Sequence, residues 1–377
     1  MTVIEHRRPD PHKLNRLPIK CTGRKVGEQY LVGVNLCIGV KLDVAGRKFR
    51  YPIGVEFRKY VVRGGVTLDV QYICRRARRE DMRNSIALLE KDRVLYDADV
   101  WTSLPALLED LMQGDLVSFA FIESLPSRVP QLFGGISFIR PEYIAEARSV
   151  AATLPNCVMQ AALRNRNPFL SPKEVGEENA RGELHLMPLF GNMDAIDLAE
   201  PDLANFYRTS NEGFRFFVFG YSLRAMWMEI SGPHHVEELK QQGMLIDRQL
   251  PLAGGRTTTL LRLTREEAHT SPYARFSSYF FPSKPRFAFS FGEQRLLEYA
   301  LLDVSDEAIA EELHLSEDAI KKRWRSIYAK IETADTKLLS GITSGTGRRR
   351  SVLHYLRRHL EELRPYRENH TSQPNRA

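Results

Sequence analysis

The chain has 377 residues, 43% hydrophobic and 27% charged, which is typical of a globular protein with two or three domains. The formal net charge of +7 permits a polyanionic partner without requiring one. Four cysteines without CxxC spacing argue against a zinc ribbon or a disulfide framework. No apolar run reaches the roughly 18 residues of a membrane span, and no signal peptide pattern is present. We therefore expect a cytoplasmic protein with no membrane partner.

Residues 1–65 are expected to form an arm and a small β-rich segment. Charges and two prolines mark residues 1–17 as a flexible arm. From Pro18 to about Val62, apolar and polar residues alternate around glycines, as in β-hairpins. No motif in this segment carries recognisable chemistry.

Residues 66–284 predict an α/β domain with strands and helices in the order βααββα, then β-α-β-α-ββ. This order favours an α+β fold with a mixed, mainly antiparallel sheet flanked by helices. We expect a loop over residues 165–182 and one long apolar strand over residues 214–230. The stretch SSYFFPSKPRF is expected to be a stiff linker, with a domain boundary near Lys284.

Residues 285–365 predict a small all-α domain, followed by a disordered tail over residues 366–377. Residues 289–303 form its first helix, and residues 351–364 its last. Between them, Ser305 and Ser316 are placed to cap two short helices that are joined by a turn at His314 and Leu315.

The second helix of this pair is amphipathic. At 100° per residue its apolar face is Ile320, Trp324, Ile327 and Ile331. The opposite face carries Asp318, Lys321, Lys322, Arg325 and Ala329. A lone helix of this kind is more often an ordinary one with a solvated basic face. The capped partner helix and the short turn favour instead a helix that enters the major groove of double-stranded DNA.

The stretch EAIAEELHLSEDAIKKRWRSIYAKI, residues 307–331, resembles the LuxR-type helix-turn-helix domain. The resemblance covers about 45 residues, from Phe289 to Glu332. It departs from the family at Lys322-Arg323-Trp324, and at Asp303, near the usual glycine. It implies a transcription regulator that binds double-stranded DNA. We expect a homodimer, because one short helix usually recognises too few base pairs alone.

We predict nine DNA-binding residues in this domain. Lys321, Lys322 and Arg325 are the candidates for groove contacts, and Ser316 is placed to cap its helix or to contact a phosphate. The candidates for phosphate contacts are Arg323, Lys330, Arg348, Arg349 and Arg350.

A second resemblance covers residues 66–262. Stretches such as RVLYDADVWTSLPALLEDL and LFGGISFI look like a bacterial group in which a domain of the GNAT acetyltransferase fold precedes a LuxR-type domain containing KKRWRSIY. This chain has that octapeptide at residues 321–328. Residues 1–65 lie outside the resemblance.

An active acetyltransferase of that fold holds the pyrophosphate of acetyl-CoA on backbone amides at a helix N-terminus. The corresponding stretch here, residues 191–202, is GNMDAIDLAEPD, with one glycine, no cation and four acids. Because acids repel a pyrophosphate, we expect no enzymatic activity, no catalytic residue and no cofactor. The GNAT-like domain would then serve for sensing an unidentified small-molecule effector or for dimerisation.

Two other functions remain open. One is an acetyl-CoA-dependent N-acetyltransferase fused to a DNA-binding domain. The other is a protein-interaction role in which the helical domain serves only for dimerisation.

Overall fold

The computed structural model describes residues 21–26, 29–34, 41–42, 48–49, 71–78, 81–125, 127–191, 200–270 and 276–367. The chain divides into two units, Met1–Pro52 and Ile53–Ala377. In the first unit, β1 (Cys21–Val26) pairs antiparallel with β2 (Gln29–Val34), and β3 (Lys41–Leu42) with β4 (Lys48–Phe49). The predicted arm, residues 1–17, and residues 368–377 of the predicted tail lie outside the described residues. The domain boundaries near residues 65, 284 and 365 stay predictions.

The second unit is built on a seven-stranded sheet. Its strands are β5 (Gln71–Arg76), β6 (Val117–Leu125), β7 (Pro130–Phe138), β8 (Leu184–Pro188), β9 (Leu223–Ile230), β10 (Leu245–Pro251) and β11 (Thr257–Thr264). Their order is β10-β11-β9-β8-β7-β6-β5. Neighbours pair antiparallel except β8 and β9, which are parallel. The expected mixed, mainly antiparallel sheet is confirmed.

Helices cover both faces of this sheet, and two large buried clusters pack the helices between the strands against it. The helices between the strands are α1 (Met82–Leu89), α2 (Ala98–Gln113), α3 (Pro141–Ser149), α4 (Leu154–Leu163), α5 (Pro172–Arg181), α6 (Glu200–Val218) and α7 (Pro233–Gln241), with α8 (Arg265–Thr270) after the last strand. One cluster joins α1 to α4 with β6 and β7. The other joins α6 and α7 with β8, β9 and β11.

The expected loop over residues 165–182 is wrong in its second half, which is α5. Ser171 accepts a hydrogen bond from the Glu174 amide, and the Glu174 side chain accepts one from the Ser171 amide. This capping box satisfies two free amides at the helix start. Pro172 and Gly176 suggest a loop in the sequence, but the capping box stabilises the helix despite them. Pro172 is moreover well placed, because proline fits the first turn of a helix.

The expected strand over residues 214–230 is also wrong in its first part, where α6 continues to Val218. An apolar run fits a buried strand or a buried helix equally well. Here the helix lies between two clusters: Phe216 and Phe217 pack into the C-terminal one, and Val218 into the one around β9. Gly220, with φ +97°, then redirects the chain into β9.

The C-terminal region is helical. Its helices are α9 (Phe291–Leu301), α10 (Asp306–Glu312), α11 (Glu317–Ala334) and α12 (Gly345–Leu356), followed by a 3₁₀ turn at Leu360–Leu363. The expected last helix, residues 351–364, is therefore displaced. It starts earlier, because Ser344 caps it at the Gly347 amide, and it ends at Leu356. These helices share one buried cluster with Phe216 and Phe217 of α6.

Candidate functional site

The parallel strands β8 and β9 separate before they end. Their last paired residues are Leu186 and Met226, whereas β8 continues to Pro188 and β9 to Ile230. Beyond that pair, each strand stays bonded to its outer neighbour, β7 or β11. The carboxyl ends of separating parallel strands form the crevice in which α/β sheets commonly bind ligands.

A cavity of about 160 Å³ occupies this opening, walled by the ends of β8 and β9 and by α6 and α7. The residues that line it are Asp92, Leu95, Pro155, Pro188, Leu189, Phe190, Gly191, Tyr207, Ser210, Asn211, Phe214, Met228, Glu229, Ile230, Ser231, His235, Glu238, Leu239, Gln242 and Phe276. Three of these described residues are acidic and none is a lysine or an arginine. The lining is therefore largely apolar with a net negative charge.

Glu229 is the best-placed titratable group of this cavity. Its Oε2 accepts a hydrogen bond of 2.6 Å from the amide of Leu154, the first residue of α4. Its Oε1 is shielded from solvent and has no hydrogen-bond partner among the described residues. Burial raises the pKa of Glu229, and the Leu154 amide, the Arg248 charge and the nearby Thr258 hydroxyl offset only part of that rise. A carboxyl group with a raised pKa suits proton transfer near neutral pH.

A second polar pair lines the same cavity. The Tyr207 hydroxyl lies 2.9 Å from Nε2 of His235 and joins α6 to α7 across the opening. His235 is partly buried, whereas His234 is exposed. Both rings of the pair can give or take a proton, so the cavity contains a candidate acid as well as a candidate base.

Most of the acidic stretch, residues 191–202, lies outside the described residues. Residues 192–199 lie between Gly191 and the start of α6, and they are not among the described residues. The prediction that this loop repels a pyrophosphate therefore remains a prediction.

The helix pair at the C-terminus has the expected caps and the expected buried face. Ser305 accepts a hydrogen bond from the Ala308 amide, and Ser316 from the Ala319 amide. The turn between α10 and α11 passes through His314 in the left-handed region, with φ 51°. The buried residues of α11 are Ile320, Trp324, Ile327 and Ile331, as predicted.

Three of the nine predicted DNA-binding residues form an exposed basic face on α11. Lys321, Lys322 and Arg325 are all exposed. Lys321 pairs with Asp318 at 3.2 Å, an exposed contact that water screens strongly. Lys322 and Arg325 have no ion-pair partner within the described part of the chain. Arg350 of α12 is exposed too.

The other four cations are held by protein contacts. Arg323 donates to the Gly292 carbonyl at 3.3 Å, and Lys330 to Glu293 at 2.6 Å. Arg349 pairs with Asp306 at 2.8 Å and lies 4.9 Å from the Trp324 ring centroid. Arg348 pairs with Glu332 and lies 4.7 Å from the Tyr328 ring centroid. A phosphate would have to compete with these contacts.

The unusual Trp324 has a structural role in this arrangement. Its ring stacks on Tyr328, its Nε1 donates to Asp306 at 3.3 Å, and Arg349 covers it. Trp324 thus joins α10, α11 and α12 in one contact.

Sequence analysis did not identify Glu229, Tyr207 or His235 as a group. Glu229 ends an apolar run that also fits an ordinary buried strand, and Tyr207 belongs to an amphipathic helix without a motif. His235 stands beside His234, and nothing in the sequence distinguishes the two. The available signal was an acid at the end of a buried strand, followed by Ser-Gly-Pro and a helix.

No protein-family model and no curated protein matches the chain. Several solved structures match part of the chain. Spermidine N-acetyltransferase SpeG from Vibrio cholerae is 11% identical, with a TM-score of 0.31, over 52% of this chain and 94% of that one. FeeM, an N-acyl amino acid synthase from uncultured soil microbes, is 12% identical, with a TM-score of 0.31, over 56% of this chain and 100% of that one.

These neighbours are acetyltransferases and an N-acyl amino acid synthase, so the expectation that the chain is not an enzyme is contradicted and does not stand. At such low identities and TM-scores the likeness does not identify an activity or a substrate. The case for a particular chemistry therefore depends on the cavity itself. Within the described residues, no helix combines the length and apolar character needed to cross a membrane.

Proposed function

We propose that the chain is an acyltransferase, fused to a DNA-binding helix pair, whose acceptor is an amine. The observation that carries this proposal is Glu229, a shielded carboxyl with a raised pKa in a cavity between two separating parallel strands. The opening between β8 and β9 and the charge of the cavity lining are also consistent with acyl transfer to an amine.

The opening suits the extended arm of a thioester donor. Beyond Leu186 and Met226, the facing edges of β8 and β9 no longer bond to each other. An extended pantetheine carries amide groups that can bond to such edges, as an added strand does. Gly191, at the rim, has φ +110°, and among the described residues the one atom within 4 Å of its side-chain position is Cα of Gly134, at 4.0 Å. A ligand backbone can therefore approach closely there.

The charge of the cavity favours an amine as acceptor. Asp92, Glu229 and Glu238 line it, and no lysine or arginine among the described lining residues offsets them. An ammonium group gains from three carboxylates in a partly desolvated site, whereas an anionic acceptor would be repelled. The apolar remainder of the wall fits the carbon chain of such an acceptor.

The chemistry needs three proton transfers. Glu229 accepts a proton from the bound ammonium group, which makes the nitrogen a nucleophile. The nitrogen attacks the thioester carbonyl, the C–N bond forms and the C–S bond breaks. The Tyr207–His235 pair gives a proton to the departing thiolate, and the amine's second proton leaves to solvent. The products are an amide and a free thiol.

An assay of thiol release tests this proposal. The protein is incubated with acetyl-CoA, or with S-acetylpantetheine, and a panel of diamines, monoamines and amino acids. We expect thiol release that depends on the amine, with diamines and monoamines preferred over amino acids because of the cavity charge. S-Acetylpantetheine lacks the diphosphate that the acidic residues 191–202 would repel. The proposal would be contradicted if neither donor released thiol with any amine of the panel.

The exposed basic face of α11 supports a second function, binding of double-stranded DNA. Ser316 caps this helix, Ile320 and Trp324 anchor its inner face, and Lys322 and Arg325 point away from the protein core without ion-pair partners among the described residues. A helix presented in this way can enter the major groove. The proposed partner is a duplex that carries a specific operator.

We expect the double substitution Lys322→Ala/Arg325→Ala to weaken binding to duplex DNA. On nonspecific DNA, the slope of log affinity against log salt should fall by about 1–2, since each lost phosphate contact removes roughly 0.9. Fluorescence anisotropy over a salt series measures this slope. Lys173→Ala, an exposed lysine of α5, is the matched control and should keep the parent slope. A parent protein with no salt-dependent binding would exclude DNA and favour a purely dimerising helical region.

A further inference from the structure

A cluster of five charged side chains joins the sheet to the C-terminal helices. Arg76 ends β5 and donates to Glu298 Oε2 of α9 at 3.0 Å. Arg364 donates to Glu298 Oε1, also at 3.0 Å, and Arg295 donates to Asp115 at 2.8 Å. The side chains of Arg76, Glu298 and Arg295 are 13%, 12% and 16% exposed, and that of Arg364 is 1% exposed.

This cluster has more positive than negative charge. Among the described residues, three arginines face two carboxylates, so one positive charge is in excess. Glu298 is shared by Arg76 and Arg364, and Asp115 is 33% exposed, which weakens its attraction for Arg295 and Arg76. Burial and the neighbouring Arg295 lower the pKa of Arg76, and Glu298 and Asp115 offset only part of that fall. At Arg295 the same two carboxylates outweigh burial and raise the pKa, so Arg76 is the less compensated of the two cations. An excess buried charge is costly unless an ion of opposite sign is present.

The guanidinium groups of this cluster also have donors to spare. Arg76 makes one side-chain hydrogen bond, and its contact with Asp115, at 3.8 Å, is longer than a hydrogen bond. Arg295 donates to Asp115 and has Tyr299 as a second side-chain partner, which still leaves several of its N–H groups without a protein acceptor among the described residues. Each group carries five N–H donors in a fork that matches an oxyanion.

A cavity of about 60 Å³ lies between these two arginines. Arg76, Asp115 and Ser118 line it on the sheet side, and Gln294, Arg295 and Glu298 on the helical side. A single water needs roughly 10–15 Å³ of such space. The cavity therefore has room for a small group of several heavy atoms. Two arginines and two carboxylates line it, and apolar side chains such as Phe138, Leu170 and Phe217 form about half of its wall.

We propose that this cavity binds a small oxyanion, a phosphate or carboxylate group, between Arg76 and Arg295. The anion supplies the missing negative charge and takes up the spare donors of both guanidinium groups. Because it touches the sheet on one side and α9 on the other, it stabilises the contact between the sheet and the C-terminal helices. The site is separate from the cavity of Glu229 and does not depend on acyl transfer.

Thermal unfolding and calorimetry with inorganic phosphate test this proposal, with chloride at equal ionic strength as reference. For the parent, we expect a rise in Tm that grows with phosphate concentration, as for a ligand that binds only the folded state. Arg295→Gln should bind phosphate about tenfold more weakly, the effect of roughly one lost charge-assisted hydrogen bond. Arg256→Gln, an exposed arginine between β10 and β11, is the matched control and should respond as the parent does.

A variant of the opposite sign separates binding from structural damage. Asp115→Asn removes a negative charge beside Arg295 and Arg76, so it should bind phosphate several-fold more tightly although it loses an ion pair. A purely structural role of the cluster predicts no such gain. A parent with no phosphate-specific rise in Tm, or an Asp115→Asn variant that binds more weakly, would overturn the proposal. If Arg295→Gln does not fold, the Asp115→Asn result decides.

Discussion

Replacing Arg364 by methionine should lower the free energy of unfolding by about 3–5 kcal/mol, the usual effect of removing one partner from a buried ion pair. The Arg364 side chain is 1% exposed. It donates to Glu298, to the Phe219 carbonyl at 2.9 Å and to the Phe216 carbonyl. Its loss leaves two carbonyl groups at the end of α6 without their donor, and it leaves Glu298 with Arg76 alone. Urea denaturation measures the change.

Arg350→Met is the matched control, since Arg350 is an exposed arginine of the neighbouring α12. It should change the free energy of unfolding by no more than about 0.5 kcal/mol. If Arg364→Met lost less than 1 kcal/mol, the C-terminal segment would not be anchored to the end of α6 through this side chain.

Replacing Glu229 by glutamine should lower kcat for acyl transfer about 10²–10⁴-fold, the usual contribution of a general base. Glutamine has nearly the same shape and can still accept the hydrogen bond from the Leu154 amide. What it cannot do is take a proton from the acceptor. Steady-state kinetics with an amine that the parent accepts measures the loss.

The pH profile gives a second test of the same residue. Burial raises the pKa of Glu229, and only the ionised carboxylate is a base. Activity of the parent should therefore rise with pH as Glu229 ionises, at a pH above the ordinary Glu value of 4.5. The pKa of Glu229 is higher in the folded than in the unfolded chain, so the protonated carboxyl stabilises the fold. This contribution to the free energy of unfolding is lost as the pH rises through the folded-state pKa. Glu229→Gln should lack this rise in activity and should be at least as stable as the parent near neutral pH.

Glu238→Gln is the matched control for the base. Glu238 lines the same cavity and already accepts a hydrogen bond from Gln242 at 3.1 Å. We expect it to raise KM for a cationic acceptor and to leave kcat within about threefold, because uniform binding affects KM alone. Equal losses of kcat in both variants would remove Glu229 from the role of base.

Local signals predicted the helix pair well. Ser305 and Ser316 cap their helices as expected, and Ile320 and Trp324 are buried as expected. Both features depend on residues three or four positions apart, which a sequence displays directly. Their use for DNA binding is not a local property and stays a proposal.

The two cavities depend on contacts that a single sequence does not display. Glu229 meets Leu154 across 75 positions, and Arg76 meets Glu298 across 222. Such contacts follow from the order of strands in the sheet and from the place where β8 and β9 separate. A pattern of residue types along the chain carries neither piece of information.

The most direct test of the account is a calorimetric titration of the parent protein with acetyl-CoA and, separately, with S-acetylpantetheine. Both carry the thioester arm that would occupy the opening between β8 and β9. We expect saturable binding of at least one of them. If residues 191–202 repel the diphosphate, S-acetylpantetheine should bind at least as tightly as acetyl-CoA. No heat of binding for either donor up to the millimolar range would contradict the proposal that the chain transfers acyl groups.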